Sequence, residues 1–176
     1  MLVVDWKPVT ETEDLPPFGE EFAAHINSYK GVARRASCSA WNLLYQMLAD
    51  LDITPIHVAF TETGKPYFKD SDIHFNISHS KDVCVAAVAD RPVGVDVEVI
   101  KTDYKPHLID RTLTDREKAT FDGDFTRMWC RKEALVKMSG EGIKSYPFNI
   151  DTTDRSFLEK QIEFNGSRYW IVSILE

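Results

Sequence analysis

The sequence predicts an α+β fold made of two similar helix-plus-antiparallel-sheet halves, residues 1–90 and 91–176, related by a pseudo-two-fold. Three observations lead there. From Ala36 to Leu51 the apolar residues Ala40, Leu43, Leu44, Met47, Leu48 and Leu51 follow the 3.6-residue period of a helix. Val83–Val88 and Val93–Val99 are β-rich runs separated by Ala89-Asp90-Arg91-Pro92, which predicts a hairpin between them. Asn165-Gly166 stands between two further β-rich runs, Phe157–Phe164 and Arg168–Leu175, a strong hairpin signal. Helices followed by antiparallel strands therefore occur twice.

The elements in order are these. Leu2–Trp6 reads as a strand, and Pro16-Pro17 breaks the chain after it. Phe18 to Tyr29 reads as a helix with Phe22 and Ile26 on one face. The helix of Ala36–Leu51 follows, then a strand at Ile56–Phe60. Gly64 and Pro66 make Thr61–Pro66 a turn. Ile73–Ile77 is a short strand. In the second half, Thr114 and Glu117 form a capping-box pattern for a helix from Thr114 to Phe121. A longer helix runs from Phe125 to Met138 and ends at Gly140 and Gly142.

The composition narrows the function classes. With 176 residues, 43% of them hydrophobic, the chain can bury one compact core. A net charge of −7 argues against general nucleic-acid binding. No apolar run approaches the ~20 residues of a membrane-spanning helix. The first residues read as strand rather than as a secretory leader. Cys38, Cys84 and Cys130 form neither a disulfide framework nor a zinc pattern. The expected location is the reducing cytoplasm.

Four stretches carry candidate chemistry. On a strand, Val93, Val95, Val97 and Val99 share one face, and Gly94, Asp96 and Glu98 share the other. Two adjacent carboxylates suit a hard cation such as Mg²⁺; the other reading is the solvent face of an ordinary strand. Trp129, Glu133 and Lys137 lie on one helix face, where Glu133 can supply a third carboxylate and Lys137 can meet a phosphate. The plainer reading is a surface Glu-to-Lys pair. Phe75-Asn76-Ile77-Ser78-His79-Ser80 places hydroxyls around an imidazole, a set that suits phosphate oxygens or an unremarkable turn. Gly64-Lys65-Pro66 is a turn, and no Ser or Thr follows the lysine as a Walker loop requires. Together, three carboxylates, two lysines and a histidine suit a phosphoanhydride bound through a divalent cation.

These motifs, in this order from Gly64 to Lys137, resemble the Sfp-type 4′-phosphopantetheinyl transferase family: Gly-Lys-Pro, Phe-Asn-Ile-Ser-His-Ser, Gly-Val-Asp-Val-Glu and Trp-x-x-Lys-Glu-Ala-x-x-Lys. The resemblance implies that fold, with the active site between the halves. It implies transfer of the 4′-phosphopantetheine arm of coenzyme A to a serine of an apo acyl or peptidyl carrier protein, releasing adenosine 3′,5′-bisphosphate. By the same resemblance Asp96, Glu98 and Glu133 hold Mg²⁺, and Lys137 contacts the phosphate on the leaving side. His79 binds a coenzyme A phosphate, Ser78 the nucleotide region, and Lys65 and Pro66 lie against the adenine. Glu133, directly or through a metal-bound water, is the candidate to accept the serine proton. The resemblance also implies that Lys132, which precedes the metal-binding glutamate, points elsewhere.

The family's basic clamp for the 3′-phosphate has no clear match. Trp41 and Asn42 stand near one expected position, and Lys30, Arg34 and Arg35 are the alternatives. Five basic residues against two acidic ones between Arg127 and Lys144 make that stretch a candidate dock for an acidic carrier, or a solvated helix face. Two halves in one chain make a monomer sufficient. The rival readings are a coenzyme A-binding protein without transfer activity and an unrelated Mg²⁺-dependent phosphohydrolase.

Overall fold

A computed structural model describes residues 1–11, 14–54, 57–140 and 150–176. The order is β1 (Leu2–Pro8), α1 (Glu20–Asn27), α2 (Gly31–Asp50), β2 (Val58–Phe60), β3 (Pro66–Phe68), β4 (His74–Ser80), β5 (Val83–Ala89), β6 (Val93–Val99), α3 (Pro106–Thr112), α4 (Asp115–Thr120), α5 (Phe125–Ser139), β7 (Leu158–Phe164) and β8 (Ser167–Leu175). The fold is therefore α+β, and every strand pair in it is antiparallel. Among the described residues no helix is long and apolar enough to cross a membrane.

Two three-stranded sheets, β1-β5-β4 and β6-β8-β7, stand beside the small β2-β3 hairpin. The alternation along β5 sets the layering. Cys84, Ala86 and Val88 join the core under α1 and α2, with Phe22, Trp41, Leu44 and Phe75. Val83, Val85, Ala87 and Ala89 face the other way, against Val93, Val95 and Val97 of β6 and Tyr169 and Ile171 of β8. Helix α5 covers the far side of the second sheet through Cys130, Ala134 and Leu135 on Val172 and Ile174. All seven residues of β5 are buried, so it is a central strand with both faces covered.

That position corrects one expectation. The β-rich runs before and after Arg91-Pro92 do not form a hairpin: β5 pairs with β1 and β4, and β6 pairs with β8. Both edges of β5 are already taken. Three other elements differ from expectation. Helix α2 begins at Gly31, because its first turns are exposed and carry no apolar period. Strand β3 is too short to show a period. Helix α3 opens on Pro106 at its first turn.

The termini behave as their residues require. The Thr114 side chain accepts from the Glu117 N–H at 3.3 Å while Glu117 Oε2 accepts from the Thr114 N–H at 2.9 Å, a complete capping box. Asp124 caps α5 by accepting from the Arg127 N–H at 3.0 Å. Gly140, at φ 72°, ends α5 in the left-handed conformation that favours glycine; Gly142 lies outside the described residues. Asn165 (φ 48°) and Gly166 (φ 70°) make the two-residue turn between β7 and β8. The expected strand from Ile56 is seen as Val58–Phe60, and Ile56 itself lies outside the described residues.

Candidate active site

Strands β4 and β6 are edge strands of different sheets, yet they lie side by side. Side chains of β4 stand where ladder bonds would otherwise be. Asn76 Oδ1 accepts from the Val95 N–H at 3.1 Å, and Ser80 Oγ accepts from the Val99 N–H at 3.2 Å. Asn76, Ser78 and Ser80 share one face of the strand, so all three aim at β6. Ser78 donates to Asp96 Oδ1 at 2.8 Å, and Ser80 donates to Glu98 Oε2 at 2.9 Å. The seam between the sheets thus grips the two β6 carboxylates.

Gly94 brings the third element in. A Cβ at this position would lie 1.9 Å from the Ala134 carbonyl oxygen and 2.9 Å from Met138 Cβ. Helix α5 therefore rests directly on the β6 backbone, and only glycine leaves room for it. This close approach carries Lys137 to Asp96: its Nζ lies 2.6 Å from Asp96 Oδ1 and 2.7 Å from Ser78 Oγ. Glu133, one helical turn earlier, lines the adjoining cleft of about 290 Å³ with Lys137, Asn76 and Ile77. Lys65, from the turn before β3, and Pro66, the first residue of β3, form its opposite wall.

The electrostatics are unbalanced toward negative charge. Burial, then the Asp96 carboxylate, pushes Glu98 up to about 7. Burial, then Asp96, also raises Glu133. Asp96 is 3% exposed, and among the described residues its Oδ2 has no hydrogen-bond partner. The Cys130 thiol behind it is raised by burial, then by Asp96 and Glu98. Desolvation, then the Lys137 ammonium, lowers the His79 imidazole.

Of the residues singled out from sequence, Lys65, Pro66, Glu133 and Lys137 line the cleft, and Asp96, Ser78 and Lys137 are in direct contact. The three carboxylates are not gathered as ligands: among the described residues no group of three or more His, Cys, Asp or Glu side chains is arranged to hold a metal. The Lys137 ammonium rests on Asp96 instead. The donor chemistry nevertheless fits a hard divalent cation: a buried carboxylate oxygen with no hydrogen-bond partner among the described residues stands beside two carboxylates whose ionisation is resisted. Asn76 and Ser80 were missed as individual residues. Their signal was the alternation of short polar side chains at 76, 78 and 80.

Two further expectations look different in three dimensions. Arg127 pairs with Asp122, Arg131 makes a bidentate bond to Glu159 at 2.5 and 3.0 Å, and Lys132 pairs with Glu117 at 2.7 Å. With Lys137 on Asp96, four of the five cations between Arg127 and Lys144 are internally neutralised, and Lys144 lies outside the described residues. Trp41 is buried, and Asn42 donates to the Asp14 carbonyl at 2.8 Å. Arg35 pairs with Glu11, Arg34 donates to Asn27 Oδ1 at 3.1 Å, and Lys30 stands at the start of α2.

Residues 92–173 match the model of the 4′-phosphopantetheinyl transferase superfamily. That stretch carries Asp96, Glu98, Glu133 and Lys137. The 4′-phosphopantetheinyl transferase AcpT of Salmonella typhi is 32% identical over 135 residues, covering 70% of this chain and 68% of the relative. The transferase psf-1 of Bacillus pumilus is 32% identical over 117 residues, covering 57% of this chain and 48% of the relative. Sfp of Bacillus subtilis is 32% identical over 101 residues, covering 53% and 45%. The chain belongs to the 4′-phosphopantetheinyl transferase superfamily. It spans about half the length of the Bacillus relatives it matches.

Proposed function

We propose that this chain transfers the 4′-phosphopantetheine arm of coenzyme A to a serine of an apo acyl or peptidyl carrier protein, releasing adenosine 3′,5′-bisphosphate. The observation that carries the proposal is the Ser78–Asp96–Lys137 knot, set beside Glu98 and Glu133 at the cleft walled by Lys65 and Pro66. Family membership supports the same reading.

In this reading Asp96, Glu98 and Glu133 hold Mg²⁺, which supplies charge neutralisation for the diphosphate. Lys65 and Pro66 lie against the adenine, with Ser78 and His79 on the nucleotide and its phosphate. The carrier serine oxygen forms a bond to the β-phosphorus of coenzyme A, and the bond from that phosphorus to the bridging oxygen breaks. Lys137 meets the negative charge that develops on the departing bisphosphate. Glu133 accepts the serine proton; burial, then Asp96, raises its carboxyl above the ordinary carboxylate value. We read residues 1–90 and 91–176 as halves related by a pseudo-two-fold, supported by α2 on β1-β5-β4 and α5 on β6-β8-β7. A monomer then supplies both cleft walls. The three buried free cysteines suit a reducing compartment.

Incubation with coenzyme A, Mg²⁺ and a panel of apo-carriers should add about 340 Da to a carrier serine, the mass of the transferred arm. Glu133→Gln should abolish the gain with an unchanged circular dichroism spectrum. Normal turnover by that variant would refute the base assignment. Phosphopantetheine released without a carrier would mark a hydrolase instead.

A further inference from the structure

The two walls of the cleft are fastened to each other at one end by two contacts, one of them from Thr63, which lies outside the family motifs. A helix leaves its last carbonyls without partners inside the helix. At the end of α5 the turn of residues 61–65 supplies partners. Lys65 Nζ donates to the Met138 carbonyl at 2.5 Å, and Thr63 Oγ1 donates to the Gly140 carbonyl at 2.6 Å. The Lys65 stem lies on Gly140, where an added Cβ would be 2.7 Å from Lys65 Cδ.

The hydroxyls in the turn run in one direction. The Lys65 N–H donates to Thr61 Oγ1 at 3.0 Å. Thr63 gives its single proton to Gly140, so Thr61 must donate to Thr63 across their 2.8 Å contact. The chain of donors starts in one wall of the cleft and ends in the other. The turn carries Lys65 and leads directly into Pro66 of β3, and α5 carries Glu133 and Lys137.

We propose that Thr63 is a positioning residue: its hydroxyl fastens the 61–65 turn to the C-terminal end of α5 and fixes the spacing of the cleft walls around the nucleotide of coenzyme A. This role rests on the transferase reading and adds to it a residue that touches no reacting atom. The carboxylate cluster is held separately, by Ser78, Ser80 and the packing of α5 on Gly94. Loosening the clasp therefore weakens ligand binding while the chemistry at Asp96 and Lys137 persists.

Thr63→Val keeps the shape and removes the proton. It should raise both the KM for coenzyme A and its calorimetric Kd with Mg²⁺ present by roughly threefold to tenfold, the scale of one lost hydrogen bond. The kcat at saturation should stay within about twofold. Thr63→Ser should restore the wild-type KM and Kd. An unchanged KM in Thr63→Val, an equal loss in kcat, or a Thr63→Ser variant as weak as Thr63→Val would overturn the clasp. Wild-type protein that binds coenzyme A but modifies no carrier would refute the transferase reading alone, and the ratio of Kd values would still judge the clasp. Wild-type protein that does not bind coenzyme A would sink both.

Discussion

Gly94 shows how much of this site rests on one missing side chain. With a Cβ only 1.9 Å from the Ala134 carbonyl, Gly94→Ala must push α5 away from β6. Overpacking of this kind costs about 1–3 kcal/mol, and here it meets backbone rather than a yielding side chain. We expect Gly94→Ala to lower the midpoint of urea unfolding and to reduce transfer by more than the loss of folded protein accounts for. Activity in proportion to the folded fraction would show that Lys137 and Asp96 tolerate separation. Asp96, Glu98, Glu133 and Lys137 were legible as candidates because two local periods, alternate residues on a strand and every fourth on a helix, bring like chemistry to one face. The Lys137–Asp96 contact was not legible. It depends on where a helix lands on a strand 41 positions away. The grip of Asn76 and Ser80 on β6 was hidden for the same reason, since nothing local says that β4 lies against β6.

Helix α5 is anchored on both sides. Toward the cleft it presents Glu133 and Lys137; on its other side Lys132 is fully buried against Glu117. Burial alone would raise Glu117. Hydrogen bonds from Lys132, the Thr114 N–H and Thr152 outweigh that and hold its pKa below the ordinary value. Thr152 gives two of them, from its N–H at 3.0 Å and its hydroxyl at 2.7 Å. Removing one partner leaves an uncompensated buried charge, so Lys132→Met should destabilise by about 3–5 kcal/mol, while the double variant Lys132→Met, Glu117→Gln should recover part of that. Chemical denaturation measures both, and equal losses in the two would mean the charges are not coupled. The pH dependence has a definite sign. Glu117 is depressed in the folded state, so its contribution is fully present above the unfolded carboxylate value of 4.5 and is lost as pH falls through the lower folded value. Lys132→Met should flatten the acid limb of the stability profile. The helices themselves were readable from apolar period and caps. The pairing of β5 was not, because a run of valines and alanines states that a strand is buried without naming its neighbours.

At the scale of the molecule, two sheets share one core, and each is backed by its own helices. The site lies where the edge strands β4 and β6 come together. The polar residues of β4 there bond the backbone and carboxylates of β6. The α+β class was legible from the sequence, since helical and strand periods each occur in both parts of the chain. The layering was not, because it follows from contacts such as Val85 and Ala87 on Val95 and Tyr169 that lie far apart in the chain. The negative charge of the whole chain, −7, gives no long-range attraction for an acidic carrier. The cations between Arg127 and Lys137 are spent on internal partners. Charge reversal at Arg131 should therefore act on stability through Glu159 rather than on the KM for the carrier. A raised carrier KM at unchanged stability would restore that surface as a dock.

The most direct measurement is the mass of an apo-carrier followed over time with coenzyme A, once with Mg²⁺ and once with a chelator. The carboxylate excess around Asp96 predicts a gain of about 340 Da on the carrier serine with Mg²⁺ and none in its absence. A carrier left unmodified under both conditions, or modified equally fast in the chelator, would contradict the account.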